Sequence, residues 1–217
     1  MDGSIYSYRR KERLFRHGDP IQSFYVICSG SVRLYHETPD GCEVTTDIRI
    51  AGDTICTTAI FTSFENHHTH AEIVHDATIM EFPMQWLVNA AKRYSTVSSN
   101  LLSTISKRTH KIKLEAENQA TMSTVQRTAC FLKQTCVIQG LNPNGFNLPY
   151  SKSLIASRIG MPLETLSRAL PKLKEMGITV ENKHVSLHDL QSIEKNLCSH
   201  CSGAESCYAR KALVQKN

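Results

Sequence analysis

Residues 148–177 read LPYSKSLIASRIGMPLETLSRALPKLKEMG, and the rest of the chain takes its meaning from them. Ser151 is placed to cap a first helix whose apolar residues Leu154, Ile155 and Ile159 recur at helical spacing. Gly160 breaks that helix, and Pro162 stands in the first turn of a second, where no amide proton is needed. Leu166, Leu170 and Leu173 form the buried face of the second helix. Glu164, Ser167 and Arg168, at i, i+3 and i+4, then share the opposite face near its N-terminal end. Two short helices and a tight turn make a helix-turn-helix, and this is the end that enters the major groove. An arginine fork matches the paired acceptors of guanine, a carboxylate accepts from the cytosine amino group, and a serine hydroxyl does either. The competing reading is an amphipathic hairpin with a solvated polar face. Against it stand small Ala156, Gly160 and Leu166, which a tight crossing of two helices needs. Pro171 removes a helical hydrogen bond, which predicts a bend or irregularity that spares the turn from Glu164 to Ala169.

Beyond Gly177, ITVENKHVSLHD reads as two short strands about a turn at Glu181-Asn182, followed by a closing helix from Leu187 to Leu197. The module is a winged helix-turn-helix. Upstream, GLNPNGFNLPY marks its boundary. Before that, Met122, Val125, Ala129, Leu132 and Cys136 alternate three and four residues apart in a heptad-like seam, with Cys136 as a small core residue. Residues 95–119 hold no Gly or Pro and carry Val97, Leu101, Leu102, Ile105, Ile112 and Ala116 along a helical stripe. A long helix of this kind has little of its own to pack against, so a homodimer is expected to bury it. Residues 10–85 read as short strands punctuated by Gly18, Gly30, Gly41 and Gly52, which indicates a β-sandwich or small barrel. The alternation at Val32 and Leu34 supports one buried and one wet face, and Asp40-Gly41 is a hairpin turn.

The chain has 217 residues, 41% of them apolar, enough for one sizeable domain and one small one. No apolar run approaches a membrane span and the N terminus lacks a signal-peptide core, so a cytoplasmic protein is expected. Of the net charge of +5, residues 1–148 contribute 15 Lys+Arg against 14 Asp+Glu, and residues 149–217 contribute 10 against 6. The excess lies with the helix-turn-helix, as phosphate contact requires. Eight cysteines without an export signal point to thiols, metal ligands or redox chemistry rather than structural disulfides.

The stretch GDPIQSFYVICSGSVRL, Gly18 to Leu34, resembles the glycine-anchored signature of the cyclic-nucleotide-binding β-roll. With the long helix and the winged module, the chain up to about residue 197 resembles the CRP/FNR family of bacterial transcription regulators. Glu164-Thr165-Leu166-Ser167-Arg168 is similar to the E-x-x-S-R pattern of the FNR branch. The resemblance implies an α+β protein that is not an enzyme. It implies a homodimer on double-stranded DNA with pseudo-palindromic TTGAT-like half-sites, Arg168 on guanine, and contact with RNA polymerase. Glu164, Ser167, Arg168, Ser151 and Thr165 are the expected DNA-binding residues. Cyclic-nucleotide binders hold the ribose with a carboxylate and the phosphate with an arginine. Here Asp53 imitates the first, but His70 stands about where the arginine belongs, and a neutral imidazole is a poor substitute for a guanidinium. Asp53 and His70 therefore mark an effector pocket unsuited to a cyclic nucleotide.

The tail NLCSHCSGAESCYARK places Cys198, Cys201 and Cys207 in C-x2-C-x5-C spacing. This resembles an FNR subgroup that binds a [4Fe-4S] cluster through three C-terminal cysteines and a fourth, non-cysteine ligand, for which His110, Glu115 and Glu117 are candidates. The last spacing is one residue longer than in that subgroup. Zinc held by the same cysteines with His200 or another histidine, a thiol-disulfide switch, and unrelated free cysteines are the alternatives. Cys28, Cys42, Cys56 and Cys130 read as buried strand or helix residues. The HHTH run, His67 to His70, with Glu72 beyond it, also suggests haem ligation within a regulator or, as a different class, a cupin-like metalloenzyme. The expected domains are a β-roll sensor over 1–93, a long dimerisation helix and hinge helix over 94–140, the winged module over 141–197, and a cysteine-rich tail over 198–217.

Overall fold

The computed structural model describes residues 3–140, 142, 144–188, 193, 197, 201 and 207. The chain divides into two compact units, Met1–Thr109 and His110–Asn217. In the first unit the strands are β1 (Ser4–Tyr8), β2 (Arg13–Phe15), β3 (Ser23–Glu37), β4 (Glu43–Ile50), β5 (Thr54–Ile55) and β6 (His70–Pro83). They pair antiparallel in the order β1-β6-β3-β4, with β2 also on β6 and β5 also on β3. Phe15, Tyr25, Ile27, Val32, Leu34, Ala71, Ile73 and Ile79 close the interior. Each fully buried Val, Leu, Ile or Phe among them contributes about 1.5–3 kcal/mol.

Two irregularities shape this roll. At Gly30, where φ is +81°, a Cβ would meet Asp76 O at 2.3 Å and Ala77 Cα at 2.6 Å, so only glycine lets β3 approach β6. Around it the β3–β6 register shifts repeatedly. On β4, Leu34 faces Asp47 while Tyr35 faces Thr45, leaving Thr46 as the extra residue of a bulge. Leu34 and Tyr35 are consequently both buried, and the simple alternation expected after Val32 stops there. Cys28 and Cys42 are exposed, which corrects their reading as buried residues. Cys28 falls beside the irregular register near Gly30, and Cys42 lies in the β3–β4 loop that Gly41 turns.

Helix α1 (Met84–Arg93) and the start of α2 (Ser95–Thr121) cover one side of this unit, with Leu87, Leu101 and Phe24 in one buried cluster that Val97 joins. Farther along α2, Leu102 and Ile112 are 59% and 57% exposed.

The second unit contains α3 (Thr124–Ile138), β7 (Phe146–Asn147), α4 (Lys152–Arg158), α5 (Leu163–Lys172), β8 (Ile178–Glu181) and β9 (His184–Leu187). Ser123 starts α3 with a reciprocal capping box: its hydroxyl accepts from Gln126 N–H, and its own N–H donates to the Gln126 side chain. This cap separates α2 from α3. Ala129, Leu132 and Cys136 of the heptad-like seam do not wait for a partner chain. They sit in one core with Ile155, Leu166, Leu173, Ile178 and Val185, because the helix-turn-helix supplies the apolar surface they need. The wing is a three-stranded sheet ordered β7-β9-β8, with β7 unanticipated in the sequence because it is two residues long. Its turn is at Asn182-Lys183, with Asn182 at φ +56°. The closing helix does not begin at Leu187, which ends β9; Ile193 and Leu197 are helical and buried, and residues 189–192 and 194–196 lie outside the described residues.

Candidate functional site

The local physics of residues 151–172 follows the sequence closely. Ser151 Oγ accepts from Leu154 N–H at 3.2 Å and caps α4. Gly160, at φ +65°, turns the chain after α4. Pro162 is the residue just before α5, one position earlier than its expected place inside the first turn. Leu166, Ala169 and Leu173 are buried, and Leu170 packs against the same core. Glu164, Ser167 and Arg168 are exposed together on the opposite face, and Thr165 is half-buried beside them. Among the described residues no hydrogen bond or ion pair holds Glu164, Ser167 or Arg168, so their polar groups are available to an incoming partner. Ser151, by contrast, is occupied as a cap. The α-helix runs through Pro171 to Lys172 and then tightens into a 3-10 turn over Leu173–Met176. The irregularity expected at Pro171 is therefore not found there: the proline lies inside the α-helix, and the tightening begins only at Leu173.

In the β-roll the structure treats the histidines differently from one another. His67 is buried, stacks on Phe15 with ring centroids 3.6 Å apart, and places Nδ1 3.5 Å from Cys56 Sγ. Burial lowers the His67 pKa below its ordinary value and pushes the Cys56 thiol up to about 12, with the Arg108 and Arg49 charges opposing the latter. Both groups are therefore neutral near pH 7. His70 stacks on Tyr35 at 5.0 Å, and its Nδ1 accepts from His17 N–H at 3.2 Å. Asp53 Oδ2 accepts from Ile50 N–H at 2.9 Å and closes the turn before β5. No described contact joins Asp53 to His70.

Three charged residues here were not singled out in the sequence. Asp47 and Arg49 on β4 face Leu34 and Val32 across the ladder, and Arg108 on α2 reaches Asp47 Oδ2 at 3.9 Å. Alternation along EVTTDIRI could not have found them, because the extra residue Thr46 breaks the period between Thr45 and Asp47.

For the tail, Cys201 and Cys207 are half-buried, and Cys198 and His200 lie outside the described residues. Glu115 pairs with Arg158 at 2.6 Å and Lys111 at 3.9 Å, and Glu117 pairs with Lys113 at 3.8 Å. Either carboxylate would have to leave an ion pair to serve as a metal ligand. Among the described residues no group of three metal-ligating side chains is assembled. The donor chemistry of the three thiols suits a metal centre, but the described residues do not complete one.

Comparison with known proteins agrees with this architecture. A cyclic nucleotide-binding domain profile matches residues 5–94 and a Crp-like helix-turn-helix profile matches residues 126–195. The anaerobic regulatory protein of Pasteurella multocida is 26% identical over 192 residues, 85% of this chain and 68% of that protein. The fumarate and nitrate reduction regulatory protein of Escherichia coli is 24% identical over 188 residues, 83% of this chain and 73% of that protein. Among solved structures, FixK2 from Bradyrhizobium japonicum superposes with a TM-score of 0.78 at 23% identity, covering 91% of this chain and 98% of that one. With a β-roll, a long helix and a winged helix-turn-helix in this order, the chain belongs to the CRP/FNR family of DNA-binding transcription regulators, which are not enzymes.

Proposed function

We propose that the protein is a homodimeric, redox-responsive regulator of cytoplasmic gene expression that reads pseudo-palindromic TTGAT-like half-sites and engages RNA polymerase. The observation that carries this reading is the face of α5. Arg168, Ser167 and Glu164 are exposed and uncommitted, while Leu166 on the same helix is buried in the core. The helix is anchored from behind and presents a guanidinium, a hydroxyl and a carboxylate outward, the donor and acceptor set for guanine and cytosine edges. Exposed Leu102 and Ile112 on α2 support a homodimer by offering apolar surface to a second α2. Two α5 helices related by a two-fold axis would then read the two half-sites. The test is binding to a two-fold operator and to single-base variants of it. Loss of discrimination at the guanine contacted by Arg168 is expected for Arg168→Ala, and unchanged discrimination sinks the assignment.

For sensing, the reading is that Cys198, Cys201 and Cys207 hold a [4Fe-4S] cluster, with the fourth ligand among His110, Glu115 and Glu117. The spacing of the three thiols and the FNR-like relatives support it. Such a cluster supplies oxygen- and nitric-oxide-sensitive iron chemistry, and the tail sits next to the wing in sequence, close to the module whose DNA affinity it would bias. Anaerobic purification with absorbance and metal analysis tests it. Brown, oxygen-bleached protein with iron and sulfide is expected; colourless protein with stoichiometric zinc, or a Soret band, overturns it.

A further inference from the structure

We propose that Glu115 and Arg158 are a positioning pair: their ion pair fixes the helix-turn-helix on the long helix α2 and so sets where each copy's reading helix stands in a dimer. Its consequence at DNA rests on the proposed homodimer, and its geometry rests only on contacts within the second unit.

Apolar packing joins α3, α4, α5 and the wing but stops short of α2. The core of that module takes in Ala129, Leu132 and Cys136 of α3, and among the described residues no member of α2 belongs to it. Beyond position 110, the half-buried residues of α2 are Leu114, Glu115, Glu117 and Asn118, three of them polar. Ser123 then caps α3 as a separate helix. With no shared apolar core and a cap between the two helices, the direction of α2 is left to polar contacts.

Those contacts converge on the C-terminal end of α4. Arg158, the last residue of that helix, places Nη2 2.6 Å from Glu115 Oε1, a charge-assisted distance. The two side chains are only 15% and 34% exposed, so neither charge is fully solvated. Lys111, one turn earlier on α2, stands 3.9 Å from the same Glu115 oxygen and steadies it. From the α3 side, Arg127 Nη1 donates to Ile159 O at 3.3 Å. A Cβ on Gly160 would stand 3.4 Å from Gln119 Nε2, so the end of α2 lies against the turn itself. The helices on either side of Ser123 thus grip two adjacent residues, Arg158 and Ile159.

The segment held there leads directly into the reading helix. Met161 N–H donates to Ala156 O at 3.0 Å, and Ile155 of α4 and Leu166 of α5 share one core, so α4, the turn and α5 move as one piece. A tilt of α2 at the pair is therefore a tilt of the face that carries Glu164, Ser167 and Arg168. A partly buried ion pair adds little net stability, because desolvation offsets the attraction, but it discriminates between geometries. In a dimer built on α2, that geometry is the separation of two α5 helices, which must match half-sites one or more helical turns apart.

The test uses the full-length protein and duplexes carrying one TTGAT half-site, or two inverted ones with the central spacer varied in single base pairs. Arg158→Gln removes the pair without touching a candidate cluster ligand, and Glu115→Gln removes it from the other side. Both variants are expected to bind the best-spaced two-site duplex at least fivefold more weakly and to discriminate less between spacers, while one-site affinity changes less than twofold in Arg158→Gln. The double variant is expected to be no weaker than either single one. A loss confined to one of the single variants, losses that add in the double variant, equal losses on one-site and two-site duplexes, or wild-type spacer preference in both variants overturns the proposal. Hydrogen exchange read by mass spectrometry decides without DNA. Residues 111–122 should exchange at least threefold faster in both variants, and unchanged exchange there overturns the pairing. A wild-type chain that binds neither kind of duplex refutes the half-site reading, and the exchange measurement still decides whether the pair holds α2.

Discussion

Arg168 and Arg49 form an instructive pair. Both have guanidinium donors with no hydrogen-bond partner among the described residues, yet one is exposed on α5 and the other is enclosed in the β-roll. Outside, water satisfies the donors, so an uncommitted arginine costs little and is simply ready for a ligand. Inside, each unmet donor is a standing penalty of about 1–3 kcal/mol that must be met by a bound group or offset by the surrounding core. Exposure leaves Arg168 open to solvent and to any partner that approaches α5; enclosure leaves Arg49 beside Asp47.

The contrast can be broken most severely from behind α5. Leu166 is fully buried, and Leu166→Ala should cost about 2–5 kcal/mol of stability, read from denaturant midpoints, with DNA binding lost alongside it. If DNA binding falls while stability is unchanged, the anchoring role is wrong. Arg168→Ala should do the reverse. We expect a loss of about 1–3 kcal/mol of binding at one base position, measured by operator titration, with an unaltered thermal midpoint.

Smaller effects probe the enclosed side. His67 is buried and its pKa lies below the ordinary 6.5, so the folded state binds fewer protons than the unfolded chain as the solution becomes acidic. Its contribution is intact above pH 6.5 and is lost as pH falls through 6.5 toward the folded value. The slope from this one group is at most about 1.4 kcal/mol per pH unit. Urea midpoints from pH 7.5 to 5 should show this component, and His67→Gln should remove it. The smallest effect is on thiol reactivity. With its pKa at about 12, Cys56 should alkylate far more slowly at pH 8 than exposed Cys28, which mass-spectrometric mapping would show. The same shift makes the folded state lose stability as pH rises above about 9, because the unfolded thiol ionises first.

Local signals carried most of the helix-turn-helix and its exposed polar face. Ser151, Gly160, Pro162 and the Leu166–Leu173 spacing depend on residues within one or two helical turns, and the structure displaces only Pro162, by one position. Non-local features were harder to read. The heptad-like spacing of Ala129, Leu132 and Cys136 showed an apolar face but not what covers it, because its partner, the core around Leu166 and Ile178, lies 30 or more residues away in sequence. His70 drew attention by its place in a motif, whereas His67 is the histidine that is buried against Phe15, a strand some fifty residues earlier.

By itself the sequence determined the order of modules, the helix-turn-helix and the polar face that its second helix exposes, because these follow from short-range periodicity, capping and turn chemistry. Only the tertiary structure decided where the charges of β4 point. A bulge at Thr46 and the pairing of Arg49 with Val32 set that direction, and strand register is a property of two distant segments held together, which neither segment encodes alone.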